Sequence, residues 1–299
     1  MRKLLVLLCV FIAGFAASAK AGPMPKPMQV AVGVAPVEYF ARKIGGQLIQ
    51  TVVLVPAGAD AHTYEPKPSQ MRELSRAGLY LSAGLEFETA WEPRLKAANP
   101  GLLVVRTDQG LARMPMPGGH DDHHDDRHKA ARDHEAEMDP HVWVSAANVR
   151  HMAARIAEAF AKADPTHAKV YTANLAAFQK EIDAVDAELR SAFAGIPADK
   201  RGFLVFHPAW GYLARDYGLT QAAIEFEGKE PSPRRLGALI AQAKTTGVKV
   251  IFVQPQMSRR TAESIAQALG ARVLVVDPLA ADWAANLRAV AGVFRSALR

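Results

Sequence analysis

The sequence predicts an α/β protein of two βα lobes, each with a parallel sheet, joined by one long connecting helix. Short apolar runs of four to six residues alternate with helical patterns in both halves of the chain, which is typical of βα units in a parallel sheet. A long helical stripe lies between the halves. With 299 residues, 49% of them hydrophobic, the chain can bury a substantial core.

Eight apolar runs are the predicted strands, four on each side of the central helical stretch. They are 29–34, 51–55, 79–83, 102–105, 203–206, 222–224, 248–253 and 273–276. Proline or glycine bounds most of the helical patterns near them, as expected at helix ends. These predicted helices are 36–45, 69–77, 232–246 and 261–269.

The central stretch carries one apolar stripe at spacings of three and four residues, which predicts a helix. Its members are Tyr171, Leu175, Phe178, Ile182, Val185, Leu189 and Phe193. Asp164 and Pro165 predict the N-cap and first turn. The helix would be about 43 Å long at 1.5 Å per residue. A core-facing helix inside one domain would show the same stripe, but the length and central position favour a connector.

The first residues predict an export signal over 1–21. Arg2 and Lys3 precede an apolar core at 4–15, and small residues predict cleavage near 19–21. The apolar core is shorter than the roughly 20 residues of a membrane span. We therefore expect an exported protein with a first lobe at 22–163, a connecting helix at 164–194 and a second lobe at 195–299.

Charge and cysteine content narrow the class of protein further. Cys9 is the only cysteine and lies in the predicted signal, so we expect neither a disulfide nor a thiolate metal site in the mature chain. Leu8, where a lipoprotein would have a small residue, argues against lipid attachment. The net charge of +6 falls to +3 without Arg2, Lys3 and Lys20. The basic residues are scattered, so no nucleic-acid partner is expected.

Five of the ten histidines lie in one polar segment, 113–139, that lacks apolar periodicity and predicts a mobile loop. These are His120, His123, His124, His128 and His134. Mixed with aspartates, these side chains are candidates for an auxiliary metal site. A solvated charged loop with incidental metal affinity explains the same composition, and the sequence leaves both interpretations open.

Three other histidines and one aspartate stand at distinctive positions. His62 and His207 follow predicted strands, His141 precedes a helix, and Asp277 follows the strand 273–276. Ligands of open α/β sheets bind beyond the carboxyl ends of the strands. Imidazoles with one carboxylate suit zinc, copper, nickel or iron. Because 66 to 79 residues separate consecutive members, unrelated histidines remain an alternative.

The segments around these residues resemble the zinc/manganese solute-binding proteins of bacterial ABC transporters, the ZnuA-type (cluster A-I) family. The similar segments are 53–66, 138–143, 206–212, 230–233 and 276–279, in family order. The resemblance implies that His62, His141, His207 and Asp277 bind the metal in a cleft between the two lobes.

The resemblance also implies a function: capture of Zn²⁺ in the periplasm and delivery to a membrane permease, by a monomer that is not an enzyme. A manganese- or iron-binding member of the same family is the alternative. His207, where manganese members often have glutamate, favours zinc. Two departures are Ala61, where proline is common, and the segment 224–230, in which Glu225 or Glu227 is a candidate to modify the site.

Two other classes were weighed against this function. An exported zinc hydrolase would use the same histidines, but the segment 134–138 only approaches His-Glu-x-x-His, and no nucleophile elbow is present. A surface adhesin is disfavoured by the lack of a lipid-anchor cysteine. The sequence therefore favours a binding protein.

Overall fold

The computed structural model describes residues 26–116, 138–225, 232–245, 248–257 and 259–298. The predicted signal peptide with Cys9 lies outside the described residues. So do Glu227 and the five histidines of the predicted loop 113–139, of which only the two ends are described. These ends meet in an antiparallel bridge between Pro115 and Met138.

The first half of the described chain contains four strands and three helices in alternation. They are β1 (Met28–Val32), α1 (Ala35–Gly45), β2 (Ile49–Val53), α2 (Pro68–Leu74), β3 (Leu79–Ser82), α3 (Glu86–Ala98) and β4 (Leu103–Arg106). Two long helices follow, α4 (Ala146–Ala163) and α5 (Ala168–Ala194).

The second half repeats the alternation. Its elements are β5 (Gly202–Val205), α6 (Gly211–Tyr217), β6 (Thr220–Ala223), α7 (Pro233–Thr245), β7 (Val250–Val253), α8 (Arg259–Leu269), β8 (Arg272–Val275) and α9 (Trp283–Ala297). Short 3₁₀ turns lie at 46–48, 142–144, 165–167 and 198–200.

Both sheets are entirely parallel and share one topology. Their strand orders are β2-β1-β3-β4 and β6-β5-β7-β8, so the second sheet repeats the order of the first. All eight predicted strands are present with boundaries shifted by at most two residues, which confirms the predicted fold class. In a parallel sheet the carboxyl ends of all strands meet at one edge, and loops leaving that edge can converge on a ligand.

Three helices of the structure, α3, α6 and α9, were not predicted from the sequence. In α3 the apolar residues Phe87, Trp91 and Leu95 recur every fourth position, which is a helical signal. Pro93 lies inside this helix and interrupts the pattern, since proline is disfavoured in helix interiors. The periodicity was therefore present but partly concealed.

The connecting helix α5 has 27 residues and confirms the predicted apolar stripe. Six of its seven members are buried, and Leu175 is partly buried. The start differs from the prediction, because Pro165–His167 form a 3₁₀ turn before the α-helix. Asp164 makes no side-chain cap, since its carboxylate accepts hydrogen bonds from Tyr171 Oη at 2.8 Å and His167 Nδ1 at 2.7 Å.

Aromatic contacts across α5 join the two lobes into one core. Phe178 of α5 lies 5.8 Å from Phe40 of α1 and 6.4 Å from Trp283 of α9, measured between ring centroids. Trp283 also contacts Phe40 edge-to-face at 5.6 Å. Helix α9 thus packs onto the first lobe as well as the second, and the limits 22–163, 164–194 and 195–299 stay a prediction.

Within the described part of the chain, no helix combines the length and the apolar character that crossing a membrane requires.

A buried carboxylate next to β1 gives a stability prediction. A Cβ on Gly33 would lie 2.0 Å from Oε1 of Glu88, a fully buried group that accepts hydrogen bonds from Tyr80, Ser82 and three backbone N–H groups. We expect Gly33→Ala to lower the free energy of unfolding by about 2–4 kcal/mol, because the buried network must shift. Urea unfolding of the metal-free protein measures this.

The matched control is Gly292→Ala in α9, where a Cβ would meet no heavy atom of the described residues within 4 Å. Alanine is a better helix former than glycine, so this variant should be neutral or gain up to about 1 kcal/mol. Equal stabilities for the two variants would contradict the buried-network argument.

Candidate metal centre

His62 lies in the loop that follows β2. Its backbone N–H donates to Oδ1 of Asp60 at 2.9 Å, and Thr63 Oγ1 donates to the other carboxylate oxygen at 2.9 Å. Asp60 thereby fixes the turn that presents the imidazole. The ring Nδ1 lies 3.0 Å from Oε2 of Glu86 in the first turn of α3. The His62 side chain is 23% exposed, so this histidine forms the solvent-facing side of the site.

His141 is held entirely by buried groups. Oδ1 of Asp139 accepts hydrogen bonds from both the backbone N–H and the ring Nδ1 of His141, each at 2.8 Å. The Asp139 carbonyl in turn accepts from Oη of Tyr212 at 2.9 Å. Since Tyr212 belongs to α6, the second lobe helps to position a histidine of the first.

His207 comes two residues after β5 ends, at the carboxyl edge of the second sheet. Its ring Nδ1 lies 2.7 Å from Oε2 of Glu225, which follows β6. Its backbone carbonyl accepts a hydrogen bond from Gln254 Nε2 at 2.9 Å. His207 is 5% exposed, so both its backbone and its ring are fixed by the interior of the second lobe.

The three imidazoles converge through their Nε2 atoms. Nε2 of His141 lies 3.2 Å from that of His62 and 3.3 Å from that of His207, and the three candidate ligand atoms all lie within 4.8 Å of one another. A carboxylate can only accept hydrogen bonds, so each neutral ring donates through Nδ1 and carries its lone pair on Nε2. The three lone pairs therefore face one another.

Such a group of lone pairs fits one cation. Nitrogen ligands at 2.0–2.1 Å from a tetrahedral ion lie roughly 3.3 Å apart, which matches the distances from Nε2 of His141 to the other two Nε2 atoms. The cavity that the histidines line has a volume of about 20 Å³, comparable to the space needed by one water molecule. The arrangement can hold a metal ion, with three carboxylates behind the rings to compensate its charge.

The environments of His62 and His141 shift their pKa values in opposite directions. Burial lowers the pKa of His141 to about 4, although Asp139 opposes this shift. Burial also acts to lower the pKa of His62, but the hydrogen bond and charge of Glu86, with Asp60 and Glu225, raise it overall. Near neutral pH His141 is therefore deprotonated and ready to bind a metal, whereas a proton competes for His62.

Asp277 lies outside the group formed by the three histidines. Its Oδ1 accepts hydrogen bonds from Gln256 Nε2 at 3.1 Å and from the backbone N–H of Leu279 at 2.9 Å. It lines a neighbouring cavity that shares Gln256 and Leu279 with the histidine cavity. The structure thus places Asp277 beside the centre, and its role as a ligand stays a prediction.

Several residues of the site had not been assigned a role from the sequence. Asp139 precedes His141 by two positions, a spacing that allows the observed double hydrogen bond. Glu86 lies 24 residues from His62, and no local pattern connects them. Glu225 was a candidate modifier and does contact His207, whereas Glu227 lies outside the described residues.

Two further histidines, His151 and His167, lie away from this centre. His151 Nε2 lies 2.8 Å from the Gln109 carbonyl, and His167 bonds Asp164. Each of them therefore makes a local contact apart from the three converging histidines.

Comparisons with known proteins agree with this architecture. The chain matches the family model "ZnuA: Zinc-uptake complex component A periplasmic" over residues 30–297. A putative metal-binding protein of Treponema pallidum (strain Nichols) is 36% identical over 234 residues, covering 77% of this chain and 72% of that protein. A crystal structure of ZnuA has a TM-score of 0.83 at 40% identity, covering 92% of this chain and 100% of that one.

Zinc-binding protein AdcA of Streptococcus pyogenes serotype M3 (strain ATCC BAA-595 / MGAS315) is 27% identical over 282 residues. The match covers 91% of this chain but 54% of AdcA, so the chain spans about half the length of that relative. The fold and the centre define a two-lobed α/β protein with a histidine cluster between its lobes. Within that class, the chain belongs to the ZnuA family.

The opposite pKa shifts predict how metal binding depends on pH. The pKa of His62 is raised above 6.5. As the pH is lowered from 8, we therefore expect the affinity for Zn²⁺ to begin to fall before the pH reaches 6.5. The fall should approach roughly tenfold per pH unit once His62 is protonated. Glu86→Gln removes the negative charge that helps to raise the pKa of His62. In this variant the affinity should therefore begin to fall at a lower pH than in the wild type. Chelator-competed titrations from pH 8 to pH 5.5 measure both profiles.

The same variant should also bind zinc about 10–100-fold more weakly at pH 8, since the carboxylate behind the ligand is lost. Parallel pH profiles for the wild type and Glu86→Gln would show that Glu86 does not control the protonation of His62.

Proposed function

We propose that this protein captures Zn²⁺ in the periplasm and delivers it to an ABC permease for uptake. The observation that carries the proposal is the convergence of three Nε2 atoms, each belonging to a ring whose Nδ1 is held by a carboxylate. Membership in the ZnuA family supports the same function. The centre is preorganised for binding a cation, and in this proposal the ion is cargo.

Ligand chemistry favours zinc over manganese. The three nearest donors are imidazole nitrogens, which suit zinc, whereas manganese prefers a larger share of carboxylate oxygen. The carboxylates of Glu86, Asp139 and Glu225 are hydrogen-bonded to the outer nitrogen of each ring and act behind the ligands. The description of the family as a zinc-uptake component and the name of the AdcA relative support the same choice.

The remaining parts of the proposal follow from the predicted function. They are cleavage of the signal near residues 19–21, action as a monomer, and an auxiliary role for His120, His123, His124, His128 and His134.

A binding protein has to release its ion, and we infer that loops rather than whole lobes move. Helix α5 and the aromatic contacts around it hold the two lobes together.

Removing the central imidazole tests the proposed site. We expect metal-stripped protein to bind one equivalent of Zn²⁺ tightly in a chelator-competed titration, without displacement by excess Mn²⁺. His141→Ala should weaken that binding by 100-fold or more, because one of the three nearest donors is lost. Circular dichroism of both proteins checks that the variant is folded.

His151→Ala is the matched control, since this histidine bonds a backbone carbonyl away from the centre. It should bind zinc like the wild type. Mn²⁺ that bound as tightly as Zn²⁺ would assign the protein to manganese uptake. The absence of any tight site would overturn the proposed function.

We also propose Asp277 as the fourth ligand. It would reach the ion after exchanging its hydrogen bond with Gln256 for a bond to the metal. Asp277→Asn keeps an oxygen acceptor for Gln256 and Leu279 but removes the charge. We expect this variant to bind Zn²⁺ at least tenfold more weakly, with unchanged urea unfolding of the metal-free form. Unchanged zinc affinity would limit the ligands to the histidines and a neutral partner.

A further inference from the structure

Gln254 is a buried polar residue next to the histidine centre, directly after β7. It is 3% exposed, and its Nε2 donates to the carbonyl of His207 at 2.9 Å. Since a carbonyl can only accept, this bond identifies the nitrogen end of the amide. The other end, Oε1, is buried and has no hydrogen-bond partner among the described residues.

A buried amide oxygen without a partner costs folding free energy. Such a group is informative when it lies where a ligand would bind. Gln254 lines the same small cavity as His62, His141 and His207. Its oxygen can be satisfied by a cation, or by a water molecule bound to one.

Other buried atoms without partners do not share this position. Oδ2 of Asp139 and Nε2 of Gln221 are also unpaired among the described residues. Both atoms lie beside Gly211. A Cβ added to that glycine would be 2.9 Å from Oδ2 of Asp139 and 3.6 Å from Nε2 of Gln221. Neither Asp139 nor Gln221 lines the histidine cavity. Gln254 therefore differs from them in lining the cavity of the three histidines.

We propose that Gln254 belongs to the metal site and supplies a neutral amide oxygen to the bound cation from the second lobe. This inference rests on the function proposed above. Zinc accepts four donors and sometimes five, so Gln254 adds to Asp277 and does not replace it. With Asp277 bonded to Gln256 in this structure, Gln254 is, among the described residues that line the cavity, the one whose side-chain oxygen is buried without a hydrogen-bond partner.

The lack of charge on Gln254 also bears on metal selectivity. An amide oxygen adds a donor without adding negative charge, whereas a carboxylate at the same position would favour harder ions such as Mn²⁺. Gln254 is thus inferred to be a selectivity residue as well as a donor. Substitution by glutamate keeps the size of the side chain and one oxygen donor but adds a negative charge. It therefore distinguishes a role in metal binding and selectivity from a role in packing alone.

The test compares Gln254→Met with Gln254→Glu in the full chain. Both substitutions remove the N–H donor to the His207 carbonyl, but only glutamate keeps an oxygen. Affinities for Zn²⁺ and Mn²⁺ are measured by chelator competition. The visible spectrum of the Co²⁺-loaded protein reports the coordination sphere directly, and urea unfolding of the metal-free proteins reports folding.

We expect Gln254→Met to bind Zn²⁺ about 10–100-fold more weakly and to change the Co²⁺ spectrum. Gln254→Glu should stay within about tenfold of the wild type for Zn²⁺ and bind Mn²⁺ more tightly than the wild type does. Equal losses in both variants with an unchanged Co²⁺ spectrum would reduce Gln254 to a structural residue and overturn the proposal. So would wild-type behaviour of Gln254→Met.

The wild-type titration distinguishes a failure of the Gln254 proposal from a failure of the proposed function. If the wild-type protein binds Zn²⁺ tightly and the two variants behave alike, only the role of Gln254 is wrong. If the wild type itself has no tight site for Zn²⁺, the proposed function fails.

Discussion

The centre depends on one repeated interaction, a carboxylate that accepts a hydrogen bond from Nδ1 of each histidine. Glu86, Asp139 and Glu225 play this part for the three rings. Each bond selects one tautomer and one ring orientation, so that Nε2 points to the common centre. Without these carboxylates the rings would be free to rotate or to change tautomer, and the three Nε2 lone pairs would not be held within 4.8 Å of one another.

The carboxylates themselves are positioned by structure beyond the centre. Glu86 lies in the first turn of α3, where Glu88 accepts hydrogen bonds from the backbone N–H groups of Gly84 and Leu85. The Asp139 carbonyl is bonded by Tyr212 from the opposite lobe. Glu225 follows β6, whose pairing with β5 fixes it relative to His207. Contacts in both lobes therefore fix the positions of the carboxylates, and through them the orientations of the three histidine rings.

Two indole hydrogen bonds join the lobes beside the centre. Trp143, two residues after His141, donates its indole N–H to the Pro278 carbonyl at 2.8 Å. Trp283 donates in turn to the Trp143 carbonyl at 2.7 Å. Both indoles are buried, where hydrogen bonds are costly to break. The segment that carries Asp277 is thus hydrogen-bonded to the segment that carries His141, which supports the proposal that side chains and short loops move on ion release.

The sequence by itself determined the alternation of strands and helices, the long helix and the three histidines. The elements arise from local patterns, namely apolar runs and a stripe at helical spacing. The three histidines stand out by their positions after strands or before a helix and by the family resemblance of the segments around them. The tertiary structure alone decided that Glu86 supports His62, that Gln254 lines the cavity, and that Asp277 bonds Gln256. Such pairs join residues far apart in the chain, and their distances depend on how two sheets and α5 pack, which no local pattern records.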